Sequence, residues 1–228
     1  MAKKEDQNEE LIVDVEEVYS KTETFIEENK NALIGIVTAI VIVVGGYFTY
    51  KGFVLKPMQE EAQQEMFMAE KYFAKDSLNL AINGDGSNLG FLAIADEYSG
   101  TKAGNLANYY LGISFLRTGQ FEAAIASLKD FDKDDEIIGT IALGAIGDAY
   151  MELGDLKQAV DYYEKAANRN QNDFTTPIYL MKAGKTYELI GEYSNAVESY
   201  SAIKKDYKKS AEGADIDKYI ARAESFVQ

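Results

Sequence analysis

The chain has 228 residues, 46% of them hydrophobic, and carries 38 acids against 23 bases for a net charge of −15. That acidity disfavours contact with nucleic acid phosphates and with anionic lipid heads. Cysteine and histidine are missing, which excludes thiolate metal sites, disulfides, cysteine nucleophiles and Ser-His catalysis. Two prolines, Pro57 and Pro177, no alternating polar–apolar runs and frequent Ala, Leu, Glu and Lys point to an all-α fold.

Residues 1–30 form an acidic tail, ten acids against Lys3, Lys4, Lys21 and Lys30. Leu11, Val15, Val18, Thr22 and Phe25 recur at spacings of three and four, and Ile12, Tyr19 and Ile26 extend the same side. This predicts an amphipathic helix, either lying near a membrane surface or docking a partner there.

Residues 31–55 read as a transmembrane helix. No charge occurs from Ala32 to Tyr50, and about 20 apolar residues suffice to cross a bilayer core. Tyr47, Phe48 and Tyr50 cluster where an interfacial aromatic belt would sit. A cleaved signal would follow a basic stretch and end in small residues; here acids precede and Tyr-Phe-Thr-Tyr-Lys follows, so an uncleaved anchor is expected. Lys21 and Lys30 before the span balance Lys51 and Lys56 after it, so charge alone does not orient it. Gly35 and Ala39 make one small-xxx-small pair.

Residues 56–228 hold 18 bases and 28 acids. Pro57 suits the first turn of a helix, and a long helix from Met58 to Ile82 is predicted, followed by a turn at Asn83–Ser87. Three segments then align with identical internal spacing. They read Leu111-Gly112, Phe115, Gly119, Phe121, Ala124, Leu128; then Ile146-Gly147, Tyr150, Gly154, Leu156, Ala159, Tyr163; then Ala183-Gly184, Tyr187, Gly191, Tyr193, Ala196, Tyr200. Gly147 follows Gly112 by 35 residues and Gly184 follows Gly147 by 37. A glycine inside a helix costs about 1 kcal/mol relative to alanine, so its recurrence implies close helix–helix approach. The second glycine of each segment predicts a C-terminal turn with positive φ. Aromatic and leucine positions fill the seam, and the alanines sit where helices cross.

This pattern resembles the tetratricopeptide repeat, a helical hairpin of about 34 residues. Phe91, Ile94 and Tyr98 before Thr101–Gly104 echo Tyr200, Ile203 and Tyr207 before Ser210–Gly213, suggesting a degenerate unit upstream. A last helix, about Ala211 to Phe226, presents Ile216, Tyr219, Ile220 and Ala223 on one side and Lys218 and Arg222 on the other; it is expected to cap the solenoid. The expected architecture is thus an all-α tetratricopeptide-type solenoid behind a single transmembrane helix, with about three clear repeats.

Catalytic, cofactor and metal sites are not expected. Asn83, Asp85 and Ser87 open like a calcium loop, but Asn88 stands where glycine is needed and Ile94 where glutamate is needed. Asp130, Asp132, Asp134, Asp135 and Glu136 read as a solvated linker whose last members favour the positive end of the next helix. No nucleotide fingerprint is present.

In tetratricopeptide arrays the first helices line a concave surface. Carrying the register over, the partner-binding candidates are Leu106, Tyr109, Ile113, Leu116 and Arg117 in the first unit. Ile141, Asp148, Met151 and Glu152 follow in the second, and Ile178, Met181, Lys185 and Glu188 in the third. Such a groove suits extended or helical protein segments; the alternative is that these residues pack against helix 58–82 or the capping helix.

The layout is similar to the YfgM-like family. Glu97-Tyr98, the run Thr101 to Ala107, and Gly147-Asp148-Ala149-Tyr150 through Gly154 resemble its repeats. The resemblance implies a bacterial inner-membrane protein with a cytoplasmic N-terminus and a periplasmic repeat domain. It also implies an ancillary role at the Sec translocon as a chaperone or scaffold, beside a membrane-anchored periplasmic prolyl isomerase and exported clients. A structural scaffold of a division, secretion or motility complex is the other class, and an outer-membrane lipoprotein is disfavoured because no lipobox cysteine follows the apolar run.

Overall fold

The computed structural model describes Val18 and residues 20–227. Every regular element among them is a helix. Leu11, Ile12, Val15 and Tyr19 of the expected amphipathic tail lie outside the described residues. The chain divides into two units, Met1–Pro57 and Met58–Gln228.

In the first unit, residues 20–28 are helical (α1). Asn29 breaks the run, its side chain donating to the Phe25 carbonyl at 2.8 Å, and α2 follows at Lys30–Tyr50. A helix of 21 residues spans roughly 31 Å at about 1.5 Å per residue, close to the hydrocarbon thickness of a bilayer. None of its residues is buried. By length and composition it is able to cross a membrane. At its end the backbone widens into a π-type turn, Lys51–Leu55, in which the Lys56 N–H reaches back to the Lys51 carbonyl.

The second unit contains most of α3 (Lys56–Ala74), then α4 (Leu78–Asn83), α5 (Phe91–Glu97), α6 (Lys102–Arg117) and α7 (Phe121–Asp130). The chain continues with α8 (Glu136–Glu152), α9 (Leu156–Arg169), α10 (Thr176–Ile190), α11 (Tyr193–Asp206) and α12 (Ile216–Glu224). The pairs α6/α7, α8/α9 and α10/α11 are antiparallel hairpins, and each return helix also packs on the first helix of the next pair. Each hairpin turns on a glycine with φ between +76° and +82°, Gly119, Gly154 and Gly191. The following N–H closes back onto the carbonyl five residues earlier: Gln120 to Phe115, Asp155 to Tyr150 and Glu192 to Tyr187, at 2.8–3.0 Å. The left-handed seat makes that closure possible and admits other residues only with strain.

The interior glycines set how near the two helices come. A Cβ on Gly112 would lie 2.5 Å from Leu128 Cγ, and one on Gly147 2.7 Å from the Tyr163 ring; on Gly184 it would collide with the Tyr200 ring. Ala124, Ala159 and Ala196 are wholly buried at the crossing. The seams form a chain of cores, one around α3–α6, one around α7–α8 and one around α9–α12.

The helix expected over Met58–Ile82 is two helices. Asp76 adopts φ +59°, the Ser77 N–H closes onto Tyr72 and the Asp76 N–H onto Phe73. This is the same left-handed termination as in the hairpins, made by an aspartate, which tolerates that seat better than most residues. The last helix is also shorter than Ala211–Phe226. Gly213 sits against the Tyr207 and Lys208 carbonyls, and the chain turns there before α12 begins. Gly104 sits likewise against the Tyr98 carbonyl. Thr101 and Ser210 cap the two turns alike, their hydroxyl oxygens accepting from Gly104 at 2.9 Å and Gly213 at 3.1 Å. The α5–α6 and α11–α12 junctions are therefore built the same way.

Gly184→Ala should lower stability by about 1–2 kcal/mol, since overpacking against the Tyr200 ring outweighs the gain in helix propensity of about 1 kcal/mol. Urea melts followed by circular dichroism check this. The Tyr200 hydroxyl is buried without a hydrogen-bond partner. Tyr200→Phe should therefore leave the midpoint unchanged or raise it, the reverse of the usual cost of altering a buried tyrosine.

Candidate protein-binding surface

The first helices α6, α8 and α10 are linked side by side. The α6 and α8 helices approach one another. Between α8 and α10 the link is chemical: the Tyr179 ring lies directly on Gly144, and Lys182 Nζ meets both carboxylate oxygens of Asp148 at 2.6 and 2.8 Å. Asp148 also accepts from the Tyr163 hydroxyl at 2.7 Å. Lys182 lies 5.5 Å from the Tyr163 ring centre and 6.0 Å from that of Tyr179. Together these contacts form a polar centre on the shared face, with its charges paired and the Lys182 cation over the faces of both rings.

The predicted residues distribute around that centre. Tyr109, Ile113 and Leu116 are half-buried against the α7–α8 core, and Tyr109 lies 5.6 Å from the Phe131 ring. Leu106 packs on the α3–α6 core. Ile141 is half-buried and Glu152 exposed, while Met151 leans on the α9–α12 core. Ile178 is 40% exposed and Met181 only 8%.

The two ends are occupied by the chain itself. Arg117 pairs with Asp76 at 2.7 Å and lies 5.4 Å from the Phe73 ring centre. Glu188 pairs with Arg222 of α12 at 2.6 Å, and Lys185 stands 5.5 Å from the Tyr219 ring centre. Both arrangements follow from position: the α3–α4 turn ends beside α6, and α12 takes the place of the next first helix.

Gly144, Tyr179 and Lys182 belong to the centre but escape the register argument. The one signal available was the opposite charge of Asp148 and Lys182 at a separation of 34 residues, about one repeat. Gly144 itself reads only as a second helical glycine until the ring on top of it is seen. Among the described residues no group of three or more acidic side chains is placed to hold a metal ion.

Two family profiles described as tetratricopeptide repeat match the chain, one over residues 141–173, the α8–α9 hairpin, and one over residues 179–210, the α10–α11 hairpin. The chain carries tetratricopeptide repeats. Its fold is similar to that of a Podospora anserina protein solved as kinesin light chain with nearly identical TPR-like repeats, with a TM-score of 0.55 at 13% identity, over 74% of this chain and 87% of the other. At that identity the likeness concerns the fold. No curated protein matches the sequence. Repeats of this kind make the chain a protein–protein interaction module, and nothing in it indicates an enzymatic activity.

Burial, reinforced by nearby carboxylates, raises several tyrosine pKa values well above normal. Tyr163 is shifted by burial and then by its bond to Asp148, and Tyr179 by burial and then by Asp148 and Tyr109. Tyr187 and Tyr200 follow the same logic with Glu164 and Glu188. In the unfolded chain these phenols ionise near pH 10, in the folded chain only above it. Their contribution to stability is complete below about pH 10 and is lost as pH rises further, each freed phenol adding up to about 1.4 kcal/mol per pH unit. Helicity, recorded with tyrosinate absorbance from pH 8 to 12, should be lost in one cooperative step above pH 10 that coincides with ionisation of the last, buried phenols. A smooth noncooperative tyrosinate titration with helicity intact would contradict this.

Proposed function

We propose that the protein is a single-pass membrane-anchored interaction module. In this reading α2 holds the chain in a bilayer, and the face made by α6, α8 and α10 receives segments of other proteins. The observation that carries it is the pairing, in one chain, of a 21-residue apolar helix with no buried residue and a stack of tetratricopeptide hairpins. An apolar helix of that length left in water would expose its side chains at a cost of about 25 cal/mol per Å2; a bilayer removes that cost.

The face has the composition for such a role. Its middle offers half-buried and exposed apolar groups, Ile141 and Ile178, beside exposed Glu152 and the paired Asp148 and Lys182. A partly buried polar centre among apolar contacts orients a ligand as well as holding it. With Arg117, Lys185 and Glu188 engaged by the chain itself, the stretch of α8 and α10 around Asp148 and Lys182 is the working part.

The finer reading rests on the YfgM-like layout. The protein is then an ancillary subunit at the Sec translocon of a bacterial inner membrane, its N-terminus cytoplasmic and its repeats periplasmic. It binds exported clients and works beside a membrane-anchored prolyl isomerase, as a chaperone or scaffold without a cofactor.

Two measurements test this. After cell lysis the full-length protein should sediment with membranes and resist an alkaline carbonate wash; recovery in the supernatant removes the anchor. Photo-crosslinkers at Tyr109 and Ile178, the latter more open than Met181, should capture translocon subunits and exported chains in cells. Capture confined to division, secretion or motility components would move the protein to the envelope-scaffold class, and no protein captured from either position would remove the binding role of this face.

A further inference from the structure

The N-terminal ends of the first helices carry apolar groups that the hairpin seams do not use. Ile137 is 60% exposed and Phe174 85%. They are equivalent residues, each ten places before its repeat glycine, Gly147 or Gly184. Ile141 and Ile178 stand four residues further on, in α8 and α10, so apolar groups recur at the start of each of these first helices. The exposure is built in. Asp135 caps α8 by accepting from the Ile137 and Ile138 N–H groups at 2.9 and 2.7 Å. Asn172 fixes the loop before α10 by accepting from the Phe174 and Thr175 N–H groups at 2.8 Å each. The two helices are held side by side through Tyr179 on Gly144 and through Asn170, which donates to Glu136 at 3.2 Å.

Next to this ledge, between the α5–α6 turn and the α7–α8 loop, lies a groove of about 830 Å3. Leu106 and Ile138 contribute apolar wall, and Asp130, Asp132, Asp134 and Asp135 face it with Lys102 as the base among its lining. The nearby Lys133 is tied to the Phe131 carbonyl at 2.7 Å and the Lys129 carbonyl at 3.3 Å, and Arg169 lies against Gly139. The wall is rigid: Asp132 N–H donates to Asn105 at 2.6 Å, and Asn105 donates back to the Asp132 carbonyl at 3.1 Å.

We propose that this edge is a docking strip for a partner protein segment that is apolar on one side and basic on the other. Its apolar residues cover Ile137, Phe174 and Ile178, and its cations lie over Asp130, Asp132 and Asp134. Charge complementarity selects this occupant. A second copy of a chain with a net charge of −15 would bring like charge to an acidic groove, and an anionic membrane surface would be repelled in the same way. The inference rests on reading the first-helix face as a protein-binding surface and specifies the chemistry of what binds at its edge.

The test uses the full chain in nanodiscs of zwitterionic lipid, with empty nanodiscs subtracted. The probes are two fluorescent 18-residue peptides of the same amphipathic pattern, one of Leu and Lys and one of Leu and Glu. The Leu/Lys peptide should bind and the Leu/Glu peptide should not. Ile137→Ser with Phe174→Ser, and separately Asp130→Asn with Asp132→Asn and Asp134→Asn, should each weaken binding about tenfold, as loss of significant interface contacts does. These side chains are at the surface, so circular dichroism should be unchanged. A charge-matched control on exposed acids elsewhere, Glu60→Gln with Glu198→Gln and Glu224→Gln, should weaken binding less than about twofold. The proposal is overturned if the control weakens binding as much as the strip variants, if the apolar pair has no effect, or if the Leu/Glu peptide binds equally. It is also overturned if the strip variants convert a sedimenting dimer to monomer. Should the strip fail while crosslinks from Tyr109 persist, the partner chemistry falls and the binding role of the face stands.

Discussion

The repeat unit depends on the contact between a first-helix glycine and the side chain facing it from the return helix. Gly112 against Leu128, Gly147 against Tyr163 and Gly184 against Tyr200 bring two backbones closer than any Cβ would allow. At that distance the alanines at the crossing are fully covered, and the dispersion contacts recovered along the seam outweigh the helix-propensity cost of each glycine. Everything further out follows from this spacing. Return helices reach the next first helix because the hairpin is thin, and the first helices come near enough for Tyr179 to rest on Gly144.

Function draws on the same closeness. Asp148, Lys182 and Tyr163 come from three consecutive helices, and their hydrogen bonds demand that α8, α9 and α10 be held in fixed register. A partly buried acid with two donors, one of them cationic, has its charge compensated inside the chain. The face therefore presents shape and apolar surface at its centre, while uncompensated charge is displaced to the aspartates of the α7–α8 loop. Recognition by such a surface divides into an apolar part and an electrostatic part that act at different places, the first setting dissociation and the second setting encounter.

The hairpins were legible because their determinants are local and repeated. A glycine, an aromatic three residues on, a second glycine seven on and an alanine twelve on recur with fixed spacing, and that spacing alone places both helices and the turn. The misses share a cause. The chain break at Lys75-Asp76-Ser77 has no glycine or proline to mark it; only the left-handed Asp76, anchored to Arg117, ends the helix. Tyr179 on Gly144 joins different positions of neighbouring repeats, so aligning the repeats with one another cannot reveal it. Arg117, Lys185 and Glu188 occupy ligand-facing positions by register, yet each meets a segment outside the three hairpins, which lie beyond what periodicity can describe. Gly213 lies inside the helix expected over Ala211–Phe226, and its effect, to delay α12 until Ile216, depends on the Tyr207 and Lys208 carbonyls it must pass.

The ion pairs across the stack carry a further consequence. Asp148 meets Lys182 and Glu188 meets Arg222, each across 34 residues, nearly the length of the unit itself. The two pairs nevertheless occupy different places in the unit, Asp148 one residue after Gly147 and Glu188 four after Gly184, and α8 carries no base at all. A copied α8–α9 hairpin would therefore leave a carboxylate unanswered at its new junction, and a copied α10–α11 hairpin would set Lys182 opposite the register of Lys185. The charge pattern fixes the order and number of the hairpins, so the array is not freely extensible by duplication.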